Sequence, residues 1–286
     1  MKVLVLGATG MAGHIVTLYL YEKGYNVETF SRKPTNFCNC KNFIEDATNF
    51  KKLQKIVEEG NYDAVINCIG ILNEDAEKNK SNAVLINSFL PHFLSEITSN
   101  SNTKIIHLST DCVFSGKKGN YIETDLKDST EFYGRTKALG EIDNKKDLTF
   151  RTSIVGPDMK YNGIGLFNWF MKQKSPINGF TKVFWSGVTT IVLAKAIEKA
   201  INSNLSGVYH LTNNQKISKF ELLMLFNKYF RNNEIEINEH DKIRLDKSLL
   251  NTRKDFSFDI PSYSEMVKEM KDWVISHKEL YPHYFQ

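Results

Sequence analysis

The chain has few cysteines, the residues whose disulfides hold small secreted proteins together, and few prolines. Its 286 residues include 4 cysteines and 6 prolines. The Cys38-Asn39-Cys40 triplet has neither a second cysteine pair nor a nearby histidine, which is poor spacing for zinc. With 41% hydrophobic residues, the chain has ample material for a packed core. We therefore predict no metal site and a fold that needs no disulfide staples.

Long apolar runs and strong charge of one sign are also missing. No stretch approaches the ~20 apolar residues of a membrane span, and no secretory signal pattern precedes the strand-like run at Val3. Lys and Arg (37) nearly balance Asp and Glu (33), with no basic block longer than a pair. This pattern gives no electrostatic footprint for nucleic acid. We expect a cytoplasmic enzyme that binds neither membrane nor nucleic acid.

The order of elements predicts the fold class. Residues 1–155 alternate short β-rich runs with amphipathic stretches, which is typical of an α/β protein with a doubly wound parallel sheet of the Rossmann type. Residues 156–286 predict a smaller, mostly helical C-terminal substrate domain, and parts of 182–212 are expected to complete the first domain. Two of its helices should begin at capping boxes, Ser218 with Glu221 and Ser262 with Glu265.

The N-terminal GATGMAG motif places three glycines between the first strand and the first helix. Such glycines allow a tight turn, a close approach of backbone N–H groups to a pyrophosphate, and close packing of helix on sheet. The motif predicts dinucleotide binding rather than a simple turn. The expected cofactor contacts here are Gly7, Thr9, Gly10, Met11 and Gly13.

The end of the second strand indicates which dinucleotide binds. The run Thr29-Phe30-Ser31-Arg32-Lys33 has no acidic residue for ribose hydroxyls. Ser31 and Arg32 can instead bind a 2′-phosphate, so NADP is favoured over NAD. The alternative is a solvated basic loop.

Further candidate contacts follow the third and fourth strands. Asp46, followed by Ala47, could meet the adenine edge or simply cap a helix. Asn87, in LINSFLP, could support the sheet or a water chain, or pack on backbone. The segment after the fourth strand adds Cys68, Ile69 and Gly70.

A tyrosine and a lysine one helical turn apart follow the fifth strand. Thr110-Asp111 ends that strand, and Tyr133 and Lys137 come 23 and 27 residues after Thr110. Residues i and i+4 share a helix face, so both side chains can enter the cleft at the strand ends. Tyr19 and Lys23 have the same spacing but follow no hydroxyl-bearing strand end, which makes them an internal control.

The motifs STDCVF, YGRTKALGE and FRTSIVG together resemble the extended short-chain dehydrogenase/reductase family, most closely its dTDP-4-dehydrorhamnose reductase branch. The resemblance implies NADPH-dependent reduction of the 4-keto group of a nucleotide-linked deoxysugar. It implies that Tyr133 is the general acid, that Lys137 holds the nicotinamide ribose and lowers the tyrosine pKa, and that Thr110 binds the carbonyl oxygen. Asp111 matches the acid that follows the threonine in that branch.

The substrate side is less well marked. Val113 and Phe114 adjoin the catalytic segment, and Trp185 in FWSGVTT is a candidate wall for the sugar or base, although a large aromatic residue is usually core. A nucleotide-sugar epimerase or dehydratase on the same scaffold, or a catalytically idle NADP-binding regulatory subunit, are the alternatives. A homodimer is a base-rate expectation.

Overall fold

A computed structural model describes residues 1–285, and its central feature is a seven-stranded parallel sheet. The strands are β1 Lys2–Leu6, β2 Asn26–Ser31, β3 Lys41–Ile44, β4 Ala64–Asn67, β5 Lys104–Ser109, β6 Leu148–Arg151, β7 Ile154–Val155, β8 Ile177–Phe180, β9 Val183–Trp185, β10 Val188–Thr189, β11 Gly207–His210, β12 Ile217–Ser218, β13 Ile237–His240 and β14 Leu245–Asp246. The sheet order is β11-β6-β5-β4-β1-β2-β3. The predicted doubly wound parallel sheet is confirmed.

Helices connect the strands and cover both faces of the sheet. They are α1 Met11–Glu22, α2 Phe50–Glu59, α3 Asn73–Lys78, α4 Lys80–Ala83, α5 Leu90–Ile97, α6 Phe132–Leu139, α7 Leu166–Met171, α8 Thr190–Ile201, α9 Lys219–Phe230 and α10 Tyr263–Ser276. A π-helix spans Val84–Phe89, and short 3₁₀ turns span Asp111–Val113, Lys278–Leu280 and Pro282–Tyr284. Across residues 1–285, no helix combines the length and apolar character needed to cross a bilayer.

The alternation of side chains along β1 shows how the two faces are built. Val3 and Val5 pack into one buried cluster, which includes α1 and α8, whereas Leu4 and Leu6 pack into a second cluster with α2 and α5. Successive residues of a strand point to opposite faces, so a strand covered on both sides is apolar throughout. This double burial explains the unbroken VLVL run.

Local capping decides where several helices begin. The side chain of Asn49 accepts a hydrogen bond from the N–H of Lys52, so α2 starts at Phe50. Pro91 lies in the first turn of α5, directly after the π-helix, at the point where the π pattern changes to the α pattern. Both predicted capping boxes, at Ser218 and Ser262, are confirmed.

The sheet is completed by a segment far along the chain. β11 pairs in parallel with β6, from Gly207 beside Leu148 to His210 beside Arg151, and α8 packs along α1. Within the described residues, three small sheets also form, namely β10-β7, β12-β9-β14 and β13-β8. Sequence analysis missed these sheets because strands of two to four residues carry too little periodic pattern.

A buried ion pair ties together the carboxyl ends of three strands. The Arg151 side chain, 1% exposed, donates from Nε and Nη2 to the two oxygens of Glu141 at 2.7 and 2.6 Å. Glu141 also accepts from the hydroxyl of Ser109 at 2.7 Å, and Nη1 of Arg151 contacts Nε2 of His210 at 2.6 Å. Burial would raise the Glu141 pKa, but the guanidinium and neighbouring donors hold it below its usual value. The ends of β5, β6 and β11 are therefore fastened to the end of α6.

We predict that Arg151→Met destabilises the fold far more than loss of a surface pair. Removing one partner of a buried pair leaves an uncompensated charge, which typically costs about 3–5 kcal/mol. Urea unfolding measures the loss. The matched control is Lys55→Gln, which breaks the exposed pair between Lys55 and Glu59 (3.8 Å) and should cost under about 0.5 kcal/mol. Similar losses in the two variants would contradict the structural role of this ion pair.

Candidate active site

The glycine-rich turn forms a cradle at the amino end of α1. Gly7 has φ +78°, and its N–H donates to the carbonyl of Phe30 at 2.8 Å. A Cβ on Gly13 would lie 2.1 Å from the Gly7 carbonyl oxygen, so the helix can pack this closely only with glycine. Gly10 caps α1 without any side-chain acceptor, which leaves the first N–H groups of the helix available to an anion. This cradle fits the diphosphate of a dinucleotide.

The end of β2 presents a cation beside this cradle. Arg32 is exposed, and its charge lies near Asp46. The side chain of Asp46 accepts hydrogen bonds from the N–H and hydroxyl of Thr48, which lower its pKa most, and Arg32 lowers it further. Asp46 thus closes a short turn with Thr48 ahead of α2, whose start is capped by Asn49, and its contact with the adenine edge stays a prediction. Ser31 donates to the Lys33 carbonyl at 2.6 Å, so its hydroxyl is engaged within the loop.

Asn87 supports the loop that follows β4. Its amide accepts from the N–H of Ile71 and donates to the Ile71 carbonyl, both at 2.8 Å, and it reaches the Thr136 hydroxyl at 3.1 Å. Through these bonds Asn87 supports the backbone of the loop at Ile71, and its contact with the cofactor stays a prediction. Burial raises the pKa of Cys68 to about 12, which keeps this thiol protonated.

The four predicted catalytic residues converge at the carboxyl end of β5. The Thr110 hydroxyl accepts from the N–H of Cys112 and donates to the Asp111 carboxylate, both at 3.1 Å. Tyr133 and Lys137 lie one turn apart on the buried face of α6. Lys137 Nζ donates to the carbonyl of Leu108, in β5, at 2.6 Å.

The protonation of Tyr133 differs from the sequence-based expectation. Burial raises its pKa, the nearby Cys112 thiol adds to this rise, and the Thr110 hydroxyl partly opposes it. The lowering expected from Lys137 is not found here, because Lys137 Nζ is directed to Leu108 and His107. The other expected cation, oxidised nicotinamide, forms only during turnover. The phenol therefore holds its proton at neutral pH and is a proton donor.

A cavity opens directly beside the Tyr133 ring. Its volume is about 410 Å³, and its lining residues are Asn73, Glu74, Glu77, Lys78, Glu131 and Tyr133. Glu77 accepts from the N–H of Phe132 at 3.0 Å and so caps the start of α6. Helix α3 therefore both covers Tyr133 and positions the helix that carries it.

The three predicted substrate contacts are buried. Val113 and Phe114 are fully enclosed, and Phe114 stacks on Tyr121 with ring centroids 4.1 Å apart. Trp185 is 2% exposed and packs against Tyr263 at 5.6 Å. All three side chains are part of the hydrophobic core, which for Trp185 is one of the two alternatives that the sequence left open. Their contact with substrate stays a prediction.

The structure also brings ionisable residues to the site that sequence reasoning missed. Lys219 and Lys247 lie near Asp111, whose pKa is raised by burial and lowered by both ammonium groups. Lys219 Nζ lies 5.9 Å from the centre of the Trp185 ring. His107 contacts Lys137. The capping box before Lys219 was a usable signal for its place on a helix, but no spacing pattern connects it to Asp111.

The internal control lies away from this cleft. Tyr19 is on α1, and its hydroxyl donates to Glu198, on α8, at 2.6 Å. Lys23 Nζ lies over the Tyr19 ring at 5.5 Å. The second Tyr-x-x-x-Lys match is therefore part of helix packing.

A Rossmann sheet with a glycine-rich cradle, and with threonine, tyrosine and lysine at the end of β5, defines a reductase of the extended short-chain dehydrogenase type. The chain belongs to the RmlD substrate binding domain family, whose family model matches residues 1–272. The spore coat polysaccharide biosynthesis protein SpsK of Bacillus subtilis is 27% identical over 226 residues, covering 77% of this chain and 76% of that protein. A dTDP-4-dehydrorhamnose reductase of Burkholderia thailandensis is 30% identical over 227 residues, covering 74% and 72%. The crystal structure of the Bacillus anthracis dTDP-4-dehydrorhamnose reductase in complex with NADP has a TM-score of 0.80 at 23% identity, covering 94% and 98%.

We predict that Arg32→Ala weakens NADPH binding and scarcely changes NADH binding. A charge-assisted contact to the 2′-phosphate is typically worth about 1.5–3 kcal/mol, which corresponds to a roughly 10- to 150-fold rise in Kd. Fluorescence titration of both reduced dinucleotides measures the two affinities. Lys33→Ala, the adjacent exposed cation, is the control for general charge. Equal affinities of the unaltered protein for NADH and NADPH would reject this phosphate site.

Proposed function

We propose that this protein reduces the 4-keto group of a nucleotide-activated deoxysugar with NADPH and thereby supplies a precursor of surface polysaccharide. The observation that carries the proposal is the convergence of Thr110, Tyr133 and Lys137 on one cleft beside an uncapped, glycine-rich helix start. The named relatives support the substrate, since they include dTDP-4-dehydrorhamnose reductases.

The side chains of this cleft match what ketone reduction requires. NADPH, when bound, supplies hydride to the carbonyl carbon, and the oxygen then needs a proton and hydrogen bonds. Tyr133 holds its proton in a buried position and donates it to that oxygen. Thr110 offers a hydroxyl beside the phenol. Lys137 supplies N–H donors for the nicotinamide ribose, and its charge favours the phenolate that remains.

Cations near Asp111 support an anionic substrate. Lys219 begins α9, and within residues 1–285 its Nζ has no hydrogen-bond or ion-pair partner. Lys247 pairs with Glu131 at 3.3 Å, at the edge of the Tyr133 cavity. Both lysines come from beyond residue 155, so they suit the diphosphate of a sugar nucleotide whose sugar reaches Tyr133.

Cofactor binding and substrate binding belong to different parts of the chain in this proposal. We assign cofactor binding to residues 1–155 together with α8 and β11, and substrate binding to the remainder of residues 156–286. A cytoplasmic location and a homodimer belong to the same proposal.

One assay separates this proposal from its alternatives. Purified protein is mixed with NADPH and a panel of nucleotide 4-keto sugars, and absorbance of the reduced nicotinamide is followed. A reductase consumes NADPH with at least one panel member. An epimerase or dehydratase converts its sugar without net NADPH consumption, and an idle regulatory subunit binds NADPH and converts none.

We predict that Tyr133→Phe slows turnover by about 10²–10⁴-fold with NADPH affinity largely unchanged, because the general acid is lost. Tyr19→Phe removes the same hydroxyl from the internal control and should leave kcat within about twofold, since it loses only the bond to Glu198. Steady-state kinetics and NADPH titration measure both variants. Equal losses of activity at the two positions would reject the role of Tyr133.

We predict that Lys219→Gln raises KM for the sugar nucleotide by about 10- to 100-fold, because a charge-assisted phosphate contact is lost. The NADPH affinity should not change. Lys216→Gln is the matched control, since Lys216 lies three residues earlier but pairs with Asp246 at 2.6 Å. An unchanged KM in Lys219→Gln would remove this lysine from the substrate site.

A further inference from the structure

Three polar side chains form a continuous row that ends at Lys137, one helical turn from Tyr133. Asn67 ends β4, His107 lies in β5, and Lys137 lies in α6. Asn67 Nδ2 lies 3.2 Å from His107 Nδ1, and His107 Nε2 lies 3.1 Å from Lys137 Nζ. All three side chains are buried. Water does not compete for these contacts, so the hydrogens must be arranged within the row itself.

The orientation of Asn67 follows from its backbone contact. The N–H of Ile69 donates to Asn67 Oδ1 at 3.1 Å. The opposite amide orientation would place two donors face to face at that contact. The Nδ2 group of Asn67 therefore points to His107 and donates to it.

The tautomer of His107 follows from that donor. Burial lowers the pKa of His107 well below its usual value, so the ring is neutral and carries one N–H. Its Nδ1 accepts from Asn67, which leaves the hydrogen on Nε2. This N–H points at Lys137 Nζ, and an ammonium group has no lone pair to accept it. A neutral amine accepts from His107 while donating to the Leu108 carbonyl.

We propose that His107 is a positioning residue whose Nε2–H, oriented by Asn67, favours the neutral form of Lys137 in the cofactor-free protein and couples NADPH binding to proton uptake by this lysine. The inference rests on the proposed function, because it requires NADPH to bind beside Lys137. A dinucleotide brings ribose oxygens and phosphate charge, which favour the ammonium form.

The other ionisable groups around Lys137 do not take up or release a proton near pH 8.5. They are Cys68 after β4, and Tyr133 and Glu141 on and just after α6. Burial raises the pKa of the Cys68 thiol to about 12 and raises that of Tyr133, while Glu141 stays ionised against Arg151. Burial lowers the pKa of Lys137 to about 8, although Glu141 and Cys68 act to raise it. Near pH 8.5, Lys137 is thus the group of this set that changes charge.

The direction of the pH effect follows from linkage. NADPH binds more tightly to the form in which Lys137 is charged, so below pH 8 its affinity changes little. Above pH 8 each molecule bound must draw a proton to Lys137, and affinity falls by up to about tenfold per pH unit.

Isothermal titration calorimetry tests the coupling without any turnover. Titrating NADPH at pH 8.5 into the full-length protein, in buffers with different ionisation enthalpies, counts the protons taken up. We expect about 0.75 proton per NADPH, the fraction of a group of pKa about 8 that is neutral at this pH. The 2′-phosphate does not contribute, because its second pKa is about 6.

Two substitutions reverse the hydrogen-bond direction by different means. His107→Gln can place an amide oxygen at Lys137, and Asn67→Asp accepts from Nδ1–H and so turns Nε2 into an acceptor. Both should reduce the proton uptake and move the loss of NADPH affinity to higher pH, because Lys137 gains an acceptor that favours its ammonium form, while the lowering of its pKa by burial remains. His277→Gln is the control, because His277 follows α10 and its Nε2 contacts Glu22 of α1 at 2.7 Å, outside the row.

The outcomes separate this inference from the function on which it rests. Uptake near zero in the unaltered protein, or unchanged uptake in both variants, would overturn the coupling while leaving NADPH binding established. Failure of the unaltered protein to bind NADPH at all would overturn both. If His107→Gln does not fold, the result with Asn67→Asp decides, since that variant keeps the imidazole.

Discussion

The ion pair between Glu141 and Arg151 is the interaction on which the geometry of the site depends. It joins the end of α6 to β6, and through Ser109 and His210 it reaches β5 and β11. Thr110 follows directly after Ser109, and α6 carries both the tyrosine and the lysine. This buried ion pair therefore sets the distance between the Thr110 hydroxyl, which follows β5, and the Tyr133 phenol on α6. Its desolvation is tolerated because every charged atom has a partner.

Burial also decides the charge state of the residues around the cleft. The Tyr133 phenol and the thiols of Cys68 and Cys112 are held in their uncharged forms, and the pKa of Lys137 is lowered to about 8. The negative charge of a dinucleotide and the alkoxide of a reduced ketone then act in a low-dielectric environment, where a single ammonium group has a large effect.

The sequence was sufficient for the sheet, the glycine-rich turn and the convergence of Thr110, Tyr133 and Lys137. Each of these depends on local spacing and on the rule that parallel strands end at one edge. The row of Asn67, His107 and Lys137 could not be found in this way. Its members come from three elements brought together by strand register, and a buried histidine in an apolar run looks like any other strand residue. Trp185 shows the same limit, because hydrophobicity alone does not separate a ligand wall from a core.

The late segment formed by α8 and β11 has a consequence for how this chain acquires its fold. One face of α1 is covered by α8, and the buried guanidinium of Arg151 meets His210 only after β11 has paired. During synthesis, the first 155 residues leave the ribosome with an exposed apolar face on α1 and without the partner of Arg151 on β11. The sheet can be completed only after about 55 more residues have been made. A chimaera that exchanges the substrate-binding part between relatives must therefore keep residues 190–210 with the amino-terminal half. A junction at residue 155 would separate the two sides of one core.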